Sequence, residues 1–137
     1  MSDEIVIDSS ALCAILLGEP EADEMMRQLA ASSIRWLSAF SHLETSVVIA
    51  ARKGQAGLLD LDALVQRLRI EVIPFTAEQA QLARSAHDRF GKGRHPAGLT
   101  LGDCCAYALS RYSGYPLLYK GGDFSRTDVR TTVQERE

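Results

Sequence analysis

Apolar and polar residues follow one another along this chain in blocks that favour strands separated by helices. Short runs rich in β-branched and aromatic residues indicate strands at residues 4–8, 34–38, 70–74 and 116–120, with a weaker candidate at 129–133. Longer stretches, with apolar residues every three or four positions, indicate helices at residues 11–17, 21–31, 41–53, 58–69, 76–90 and 101–112.

Strands that alternate with helices pair in parallel through crossover connections, and the helices cover both faces of the sheet. The pattern therefore predicts an α/β fold with three layers, α/β/α, around a mainly parallel central sheet of four to five strands. No repeat, low-complexity tract or linker divides the sequence. We expect a single domain over residues 1–137.

Composition narrows the class of protein. Hydrophobic residues make up 46% and charged residues 24% of the chain, which is ordinary for a globular protein. No apolar run approaches the ~20 residues that span a bilayer, and the acidic N-terminus lacks the basic segment of a signal peptide. Three cysteines fit neither a disulfide framework nor zinc-ligand spacing. We expect a cytoplasmic protein with no membrane contact and reduced thiols.

Four acidic residues fall where predicted strands end or where the following helices begin. Asp8 leaves the first strand, and the pattern places Glu44 in the first turn of the helix after the second strand. Asp103 lies in the first turn of the last long helix, and Asp123 follows the fourth strand. Because parallel strands end along one edge of a sheet, we expect these carboxylates to line one crevice.

Each acid also has an ordinary structural explanation. The pairs Ser41-x-x-Glu44 and Thr100-x-x-Asp103 both fit the capping box, in which an acid accepts a hydrogen bond from the backbone at a helix start. The first of the four acids could cap the next helix, and the last could be a turn residue after two glycines. The sequence leaves these alternatives open.

Four converging carboxylates would require positive charge. Two carboxylates ~5 Å apart repel by roughly 3 kcal/mol at an effective dielectric constant of ~20. The pairs among four acids could together cost about as much as the ~5–15 kcal/mol that stabilises a domain, and helix N-termini offset only ~1 kcal/mol each. A bound divalent cation is the natural counter-ion, and oxygen ligands favour Mg²⁺ or Mn²⁺ over zinc.

Four segments, in this order and spacing, resemble PIN-domain proteins and specifically the VapC-type toxins of toxin–antitoxin pairs. The segments are IVIDSSALCAILLGEP, SHLETSVVIAARKG, LTLGDCCAYALSR and LLYKGGDFSRTDV. The resemblance covers nearly the whole chain. It implies an endoribonuclease that depends on Mg²⁺ or Mn²⁺, cleaves cellular RNA, is silenced by a small cognate antitoxin and is usually a homodimer.

The resemblance also implies roles for particular residues. By motif position, the catalytic acids are Asp8, Glu44, Asp103 and Asp123, and the metal ligands among them are Asp8, Asp103 and Asp123. Supporting roles fall to Ser9, Thr100 and Asp128. Gly122 departs from the family pattern, because many relatives have a polar residue at this position. The departure leaves the acids intact and affects only the expectation for fine substrate contacts.

A small basic, glycine-rich segment, GKGRHPAGL, precedes Asp103. Lys92 and Arg94 in this segment could contact RNA phosphates, which would position RNA without reading its sequence. The segment could equally be a solvated connector, and the role of His95 stays open. We expect His42 and His87 to be structural or solvated.

An antitoxin would need an apolar groove. Flexible or small apolar side chains on two predicted helices could leave a groove for an amphipathic helix of the partner, unless they pack on the sheet. These residues are Met25, Met26, Leu29, Val47 and Val48. The resemblance implies that the antitoxin often presents a basic side chain to the acidic pocket, where it would bind the carboxylates.

Phosphoacceptor signalling domains are a rival class, since they also gather acids at strand ends and place a lysine where Lys120 stands. Against that class, the third predicted strand ends in Pro74-Phe75 without an acid. Haloacid-type phosphatases require Asp-x-Asp, whereas Asp8 is followed by two serines. A catalytically silent PIN-like module that binds nucleic acid is a further alternative, but all the family's acids are present.

Overall fold

The computed structural model describes residues 3–132 and shows one parallel sheet with helices on both faces. In chain order the elements are β1 (Glu4–Ile7), α1 (Ser9–Leu16), α2 (Ala22–Ala31), β2 (Ile34–Ser38), α3 (Ala39–Arg67), β3 (Glu71–Ile73), α4 (Ala77–Phe90), α5 (Leu101–Ser113), β4 (Leu117–Leu118) and a 3-10 helix (Phe124–Arg126). The strand order is β3-β2-β1-β4, and every pair is parallel. The predicted α/β architecture is confirmed, with four strands. No helix within residues 3–132 is long and apolar enough to cross a membrane.

The central strand β1 separates two apolar cores. Val6 pairs with Trp36 in β2 and with Leu117 in β4, and its side chain packs with α4 and α5. Ile5 and Ile7 point to the opposite face, as alternate residues of a strand must, and pack with α1, α2 and the C-terminal half of α3. Burial on both faces explains why β1 reads as a continuous β-branched run.

The weaker strand candidate, residues 129–133, does not form a strand in the described residues. Thr131 makes a single isolated bridge to Leu117, and the Leu117 N–H donates to the carbonyl of Arg130 at 2.8 Å. The neighbouring strand β4 is only two residues long, so it offers little edge to extend the pairing. Position 133 lies outside the described residues.

The two helices predicted at 41–53 and 58–69 form one element, α3, that bends at Gly54. Gly54 has φ 62° and ψ −153°, a conformation that glycine adopts at little cost and other residues avoid. The bend separates an N-terminal half, which follows the end of β2, from a C-terminal half whose Leu61 and Leu64 are buried in the core. Glu44 therefore sits on the half that starts at the strand ends.

Candidate active site

Three acids meet at the edge of the sheet where β1 and β2 end. Asp8 directly follows β1, Glu44 lies in the second turn of α3 and Asp103 in the first turn of α5. Burial is the main cause that raises the pKa of Asp8 to about 7, and the charges of Asp103 and Glu44 act in the same direction. The fold thus brings together three residues from widely separated parts of the chain.

Asp8 both caps a helix and has an unsatisfied oxygen. Its side chain is buried, with 3% of the residue exposed, and one carboxylate oxygen accepts the Ser10 N–H at 3.0 Å as the N-cap of α1. Within residues 3–132 the other oxygen, Oδ1, is buried and has no hydrogen-bond partner. A buried carboxylate oxygen without a donor is costly, so this atom requires either a proton or a cation.

The capping explanation for Glu44 is wrong. The helix begins at Ala39, because Ser38 is its N-cap and accepts the Phe40 N–H at 3.2 Å. Ser41 therefore lies inside the helix, and its hydroxyl oxygen is buried without a partner in the described residues. Glu44 is therefore not part of a helix cap, and its carboxylate can act with the other acids of the site.

Glu44 is positioned by contacts with two other elements. Ser9, at the start of α1, donates from its hydroxyl to Glu44 Oε1 at 2.9 Å. The rest of the carboxylate lies against Gly102, where an added methyl group would overlap it. Burial raises the pKa of Glu44, and the charge of Asp103 adds to this effect.

Asp103 forms the capping box that the sequence suggested. Its Oδ2 accepts the Thr100 N–H at 3.0 Å, and the Thr100 hydroxyl accepts the Asp103 N–H at 3.2 Å. Burial raises the pKa of Asp103, and the charge of Asp123 contributes in the same direction. The cap fixes the position of the carboxylate but leaves its second oxygen available.

Asp123 is the open member of the group. It is exposed, precedes the 3-10 helix and makes no side-chain capping bond. It follows β4, which pairs with β1, and its charge contributes to the raised pKa of Asp103. Within residues 3–132, no group of three or more His, Cys, Asp or Glu side chains is arranged so that it could hold a metal ion.

Two residues that the sequence did not single out complete the geometry. Gly102 makes room for the Glu44 carboxylate, and its signal in the sequence is a glycine inside the first turn of a helix. The Ser10 hydroxyl accepts the Lys120 N–H at 2.9 Å and so ties the end of β4 to α1. These residues are 110 positions apart, which no local pattern could reveal.

Asp128 lies in a separate cluster. It accepts hydrogen bonds from the Tyr107 hydroxyl at 2.5 Å, from Arg111 at 2.9 Å and from Arg89 at 3.2 Å. These bonds join the segment after the 3-10 helix to α4 and α5. The contacts of Asp128 within residues 3–132 are therefore structural.

The lysine that suggested a phosphoacceptor domain is engaged elsewhere. The Lys120 ammonium donates to Glu19 Oε1 at 2.6 Å and lies 3.9 Å from Glu21 Oε1. The acids it pairs with belong to the turn after α1, and no strand-end acid follows β3. This arrangement argues against the phosphoacceptor alternative.

The basic segment before α5 is an ordered loop. A bridge between Gly91 and Leu99 closes it, and Lys92 and Arg94 are both exposed. His95 packs edge-on against Phe90, with ring centroids 5.2 Å apart, and its Nδ1 accepts the Ala97 N–H at 3.0 Å. His95 therefore shapes the loop, while the two cations extend into solvent.

The cysteines are all free. Burial raises the pKa of Cys13, Cys104 and Cys105 to about 11, with nearby acids adding to the effect. Protonated thiols that are buried or half-buried are poor nucleophiles and poor metal ligands. The expectation of reduced core cysteines agrees with this environment.

The groove predicted for the antitoxin is wrong at its first helix. Met25 and Leu29 are buried, at 6% and 0% exposure, and Met26 packs against the same core. The amphipathic helix α2 turns Met25 and Leu29 towards the sheet, so these two cannot line an open surface, whereas Met26 is half-buried. Val47 and Val48 are exposed and, with Phe40, Leu43 and Glu44, line a shallow groove of about 270 Å³.

Comparisons with known proteins show which family this chain belongs to. The family model described as PIN domain matches residues 5–130. This chain belongs to the PIN-domain family. It is 46% identical over 129 residues to Ribonuclease VapC30 of Mycobacterium tuberculosis, a match that covers 94% of this chain and 98% of the relative. The chain is therefore a member of the VapC ribonucleases within the PIN-domain family.

Solved structures show the same fold. The crystal structure of Mycobacterium tuberculosis VapC20, a sarcin–ricin loop cleaving toxin, has a TM-score of 0.76 at 20% identity and covers 92% of this chain and 96% of VapC20. A toxin–antitoxin complex from Klebsiella pneumoniae has a TM-score of 0.69 at 16% identity, with 94% and 97% of the two chains covered. The three proteins share the same fold.

Proposed function

We propose that this PIN-domain protein is the toxin of a toxin–antitoxin pair and cleaves cellular RNA as an endoribonuclease that depends on Mg²⁺ or Mn²⁺. The observation that supports the metal-dependent reaction is the buried, unsatisfied Oδ1 of Asp8 in a group with Glu44 and Asp103. The 46% identity to a VapC ribonuclease supports the choice of substrate class. We also propose the cytoplasm as its place of action, because cellular RNA is found there.

The donor set fits a hard divalent cation. Asp8, Asp103 and Asp123 would hold it through carboxylate oxygens, which Mg²⁺ and Mn²⁺ prefer. No three such side chains within residues 3–132 are arranged so that they could hold a metal ion, so the proposal requires Mg²⁺ to keep several waters and to use only one or two of these carboxylates directly. The cation, when bound, supplies the positive charge that activates water and stabilises the phosphate in the transition state.

The protein's own groups would then divide the reaction. Glu44, with its raised pKa, takes a proton from the attacking water, because a less acidic carboxylic acid has a more basic conjugate carboxylate. The water oxygen forms a bond to phosphorus while the bond from phosphorus to the leaving ribose oxygen breaks, and that oxygen receives a proton from solvent. Ser9 holds Glu44 in place through its 2.9 Å hydrogen bond.

We assign antitoxin binding to the exposed groove of α3. Leu43 and Val47 are 60% and 61% exposed, which is unusual for apolar side chains beside an acidic site. An apolar segment of the antitoxin seated there would end near Glu44, where a basic side chain could pair with the acids. The structures of toxin–antitoxin complexes with this fold support such a partner.

We also expect a homodimer, as the family resemblance implies. A second exposed apolar area contains Phe75 and Leu101 around a cavity of about 420 Å³ between α4 and α5. Its size and apolar character suit a protein contact. Light scattering of the purified chain tests this expectation, and a monomer at every concentration would contradict it.

The decisive experiment is cleavage of total cellular RNA by the purified protein without its antitoxin. We expect cleavage with Mg²⁺ or Mn²⁺, none in EDTA, and mapped ends that define the reaction. Asp8→Asn and Asp103→Asn should abolish cleavage while the fold survives. Full activity of either variant at saturating metal would rule out a shared acidic site, and RNA binding without cleavage would favour the silent-module alternative.

A further inference from the structure

A polar recess of about 330 Å³ lies beside Asp123, between two loops. The loop before α5 forms one wall, and the segment around the 3-10 helix forms the other. The lining residues are Pro96, Ala97, Gly122, Asp123, Ser125 and Arg126. Its volume is at the small end of the roughly 300–1,000 Å³ typical of ligand sites, which suits one phosphate-bearing group.

The turn that presents Arg126 is firmly anchored. Phe124 is buried at 2% exposure and packs against Tyr119 with ring centroids 5.0 Å apart. The Thr127 hydroxyl donates to the Phe124 carbonyl at 2.8 Å, and the Ser125 hydroxyl donates to the Gly122 carbonyl at 2.6 Å. The backbone of Arg126 is therefore held at the recess while its side chain is exposed.

Arg126 has no anionic partner in the part of the chain that the structure describes. By contrast, Arg89 and Arg111 both pair with Asp128, on the other side of the same segment. Lys92 and Arg94 are exposed on the loop that forms the opposite wall. The recess therefore combines a site acid with a cation that is free to bind an anion from outside.

We propose that this recess binds a phosphate of the RNA backbone next to the scissile phosphate, with Arg126 as its principal ligand. The inference rests on the proposed ribonuclease function. A guanidinium group offers a planar fork of donors that matches two phosphate oxygens. Asp123, one of the proposed site acids, also lines the recess, so an RNA strand whose scissile phosphate lies at the acids would bring a neighbouring phosphate to it. Such a contact positions RNA without reading its bases.

Binding is tested with a fluorescent single-stranded RNA of mixed sequence and about 12 nucleotides, long enough to span one binding fold. The Asp103→Asn background prevents cleavage, and anisotropy is measured with Mg²⁺ across a salt series. We expect Arg126→Gln to weaken binding about tenfold, as for one charged hydrogen-bonded contact, and to reduce the salt slope by about 0.7. Arg67→Gln, at the far end of α3, removes the same charge and should change neither quantity.

Cleavage kinetics give a second readout in the protein with all acids intact. Arg126→Gln should raise KM about tenfold and leave kcat nearly unchanged, because the lost contact is equally strong before and during the reaction. Ser125→Asp places a negative charge in the same recess and should weaken RNA binding too, so the test does not depend on one variant folding.

The outcomes separate the two proposals. If the intact protein cleaves RNA but Arg126→Gln and Ser125→Asp behave like Arg67→Gln, the recess does not bind RNA and the ribonuclease function stands. If Arg126→Gln weakens only antitoxin binding, the recess belongs to the partner and the inference is overturned. If the intact protein cleaves no RNA with either metal, the proposed function fails, and this inference fails with it.

Discussion

Asp8 combines two roles that usually exclude each other. Its hydrogen bond to the Ser10 N–H starts α1, and its other oxygen is buried beside Glu44 and Asp103. Exposed N-cap aspartates keep a low pKa because backbone donors favour the charged form. Here burial outweighs the cap and raises the pKa to about 7. Metal-free protein near neutral pH must therefore tolerate a partly ionised carboxylate in its interior.

The first prediction is that Asp8→Asn stabilises the metal-free protein in a pH-dependent way. The pKa of Asp8 rises from 3.8 when unfolded to about 7 when folded, so its protonated form stabilises the fold and that stability is lost as pH rises from about 4 to 7. Asparagine caps helices as well as aspartate does and has no charge. Above pH 7 the variant should be more stable by up to about 4 kcal/mol, from 1.36 kcal/mol per pKa unit.

Urea unfolding in EDTA at pH 4 and pH 8 measures this effect. The difference between wild type and variant should nearly vanish at pH 4. An equal gain at both pH values would mean that the charge of Asp8 is not responsible.

Gly102 is a second residue whose importance follows from one contact. We predict that Gly102→Ala lowers RNA cleavage at least about tenfold, because the added methyl group displaces the Glu44 carboxylate and a shift near 1 Å can cost about a hundredfold in rate. Alanine favours a helix over glycine by about 1 kcal/mol, so the loss of cleavage activity should not be accompanied by a similar loss of thermal stability. Cleavage assays and thermal melts are compared side by side. Full activity would show that Glu44 needs no exact placement.

At the scale of elements, α3 links the acidic site to a surface for partners. Its N-terminal half places Glu44 at the cluster and exposes Leu43 and Val47, whereas its C-terminal half, beyond Gly54, buries Leu61 in the core. The helix α2, by contrast, packs its apolar face into the core, where Met25 is only 6% exposed. The same apolar residue types therefore serve different purposes on neighbouring helices.

We predict that Val47→Asp weakens antitoxin binding at least about tenfold, the effect of burying an unpaired charge in an apolar contact. RNA cleavage by the free variant should persist, because Val47 is not among the acids. Leu59→Asp is the matched control, since Leu59 is 60% exposed on the other half of α3. We expect the Leu59→Asp protein to bind the antitoxin normally. Calorimetry with the purified antitoxin measures both affinities.

Met25→Asp should instead lower the free energy of unfolding by several kcal/mol, because it buries a charge in the core. If the Met25→Asp protein folds and loses only antitoxin binding, the groove predicted from the sequence would be correct at α2. Full repression of Val47→Asp would place the antitoxin on another surface.

At the scale of the whole molecule, the strand order β3-β2-β1-β4 gathers the site. The ends of β1 and β2 lie side by side at the centre of the sheet, and β4 brings Asp123 to the other side of β1. The segment after Asp123 is held on the helices by Asp128 through Arg89, Arg111 and the Tyr107 hydroxyl. These bonds therefore fix the position of the segment that follows Asp123.

The last prediction is that Asp128→Asn destabilises the protein by about 1 kcal/mol without abolishing cleavage, since exposed ion pairs contribute little individually. Burial raises the pKa of Asp128, but hydrogen bonds from Tyr107 and Arg89 outweigh it and lower the pKa overall. Its contribution is therefore present above the ordinary carboxyl pKa and lost as pH falls. Denaturant unfolding at pH 7 and pH 3 tests this, and abolished cleavage in a folded variant would assign Asp128 to the reaction.

Local patterns in the sequence determined most of the architecture. The β-branched run at Ile5–Ile7 predicted the buried strand β1, and apolar spacing located the helices, although the longest of them, α3, was predicted as two. The capping box at Thr100 and Asp103 formed as predicted, because a helix cap depends only on residues three positions apart. Acids at strand ends also implied one shared edge, since that property follows from parallel topology alone.

Tertiary structure decided whatever depends on residues far apart in the chain. Glu44 forms no capping box because the helix begins earlier, with Ser38 as its N-cap. The room for the Glu44 carboxylate comes from Gly102, 58 positions away (102 − 44 = 58). Met25 and Val47 look alike in the sequence, and only packing against the sheet separates a core residue from an exposed one. Local preferences are set by neighbours within about a turn, whereas burial and charge clustering are set by elements that meet only in the folded chain.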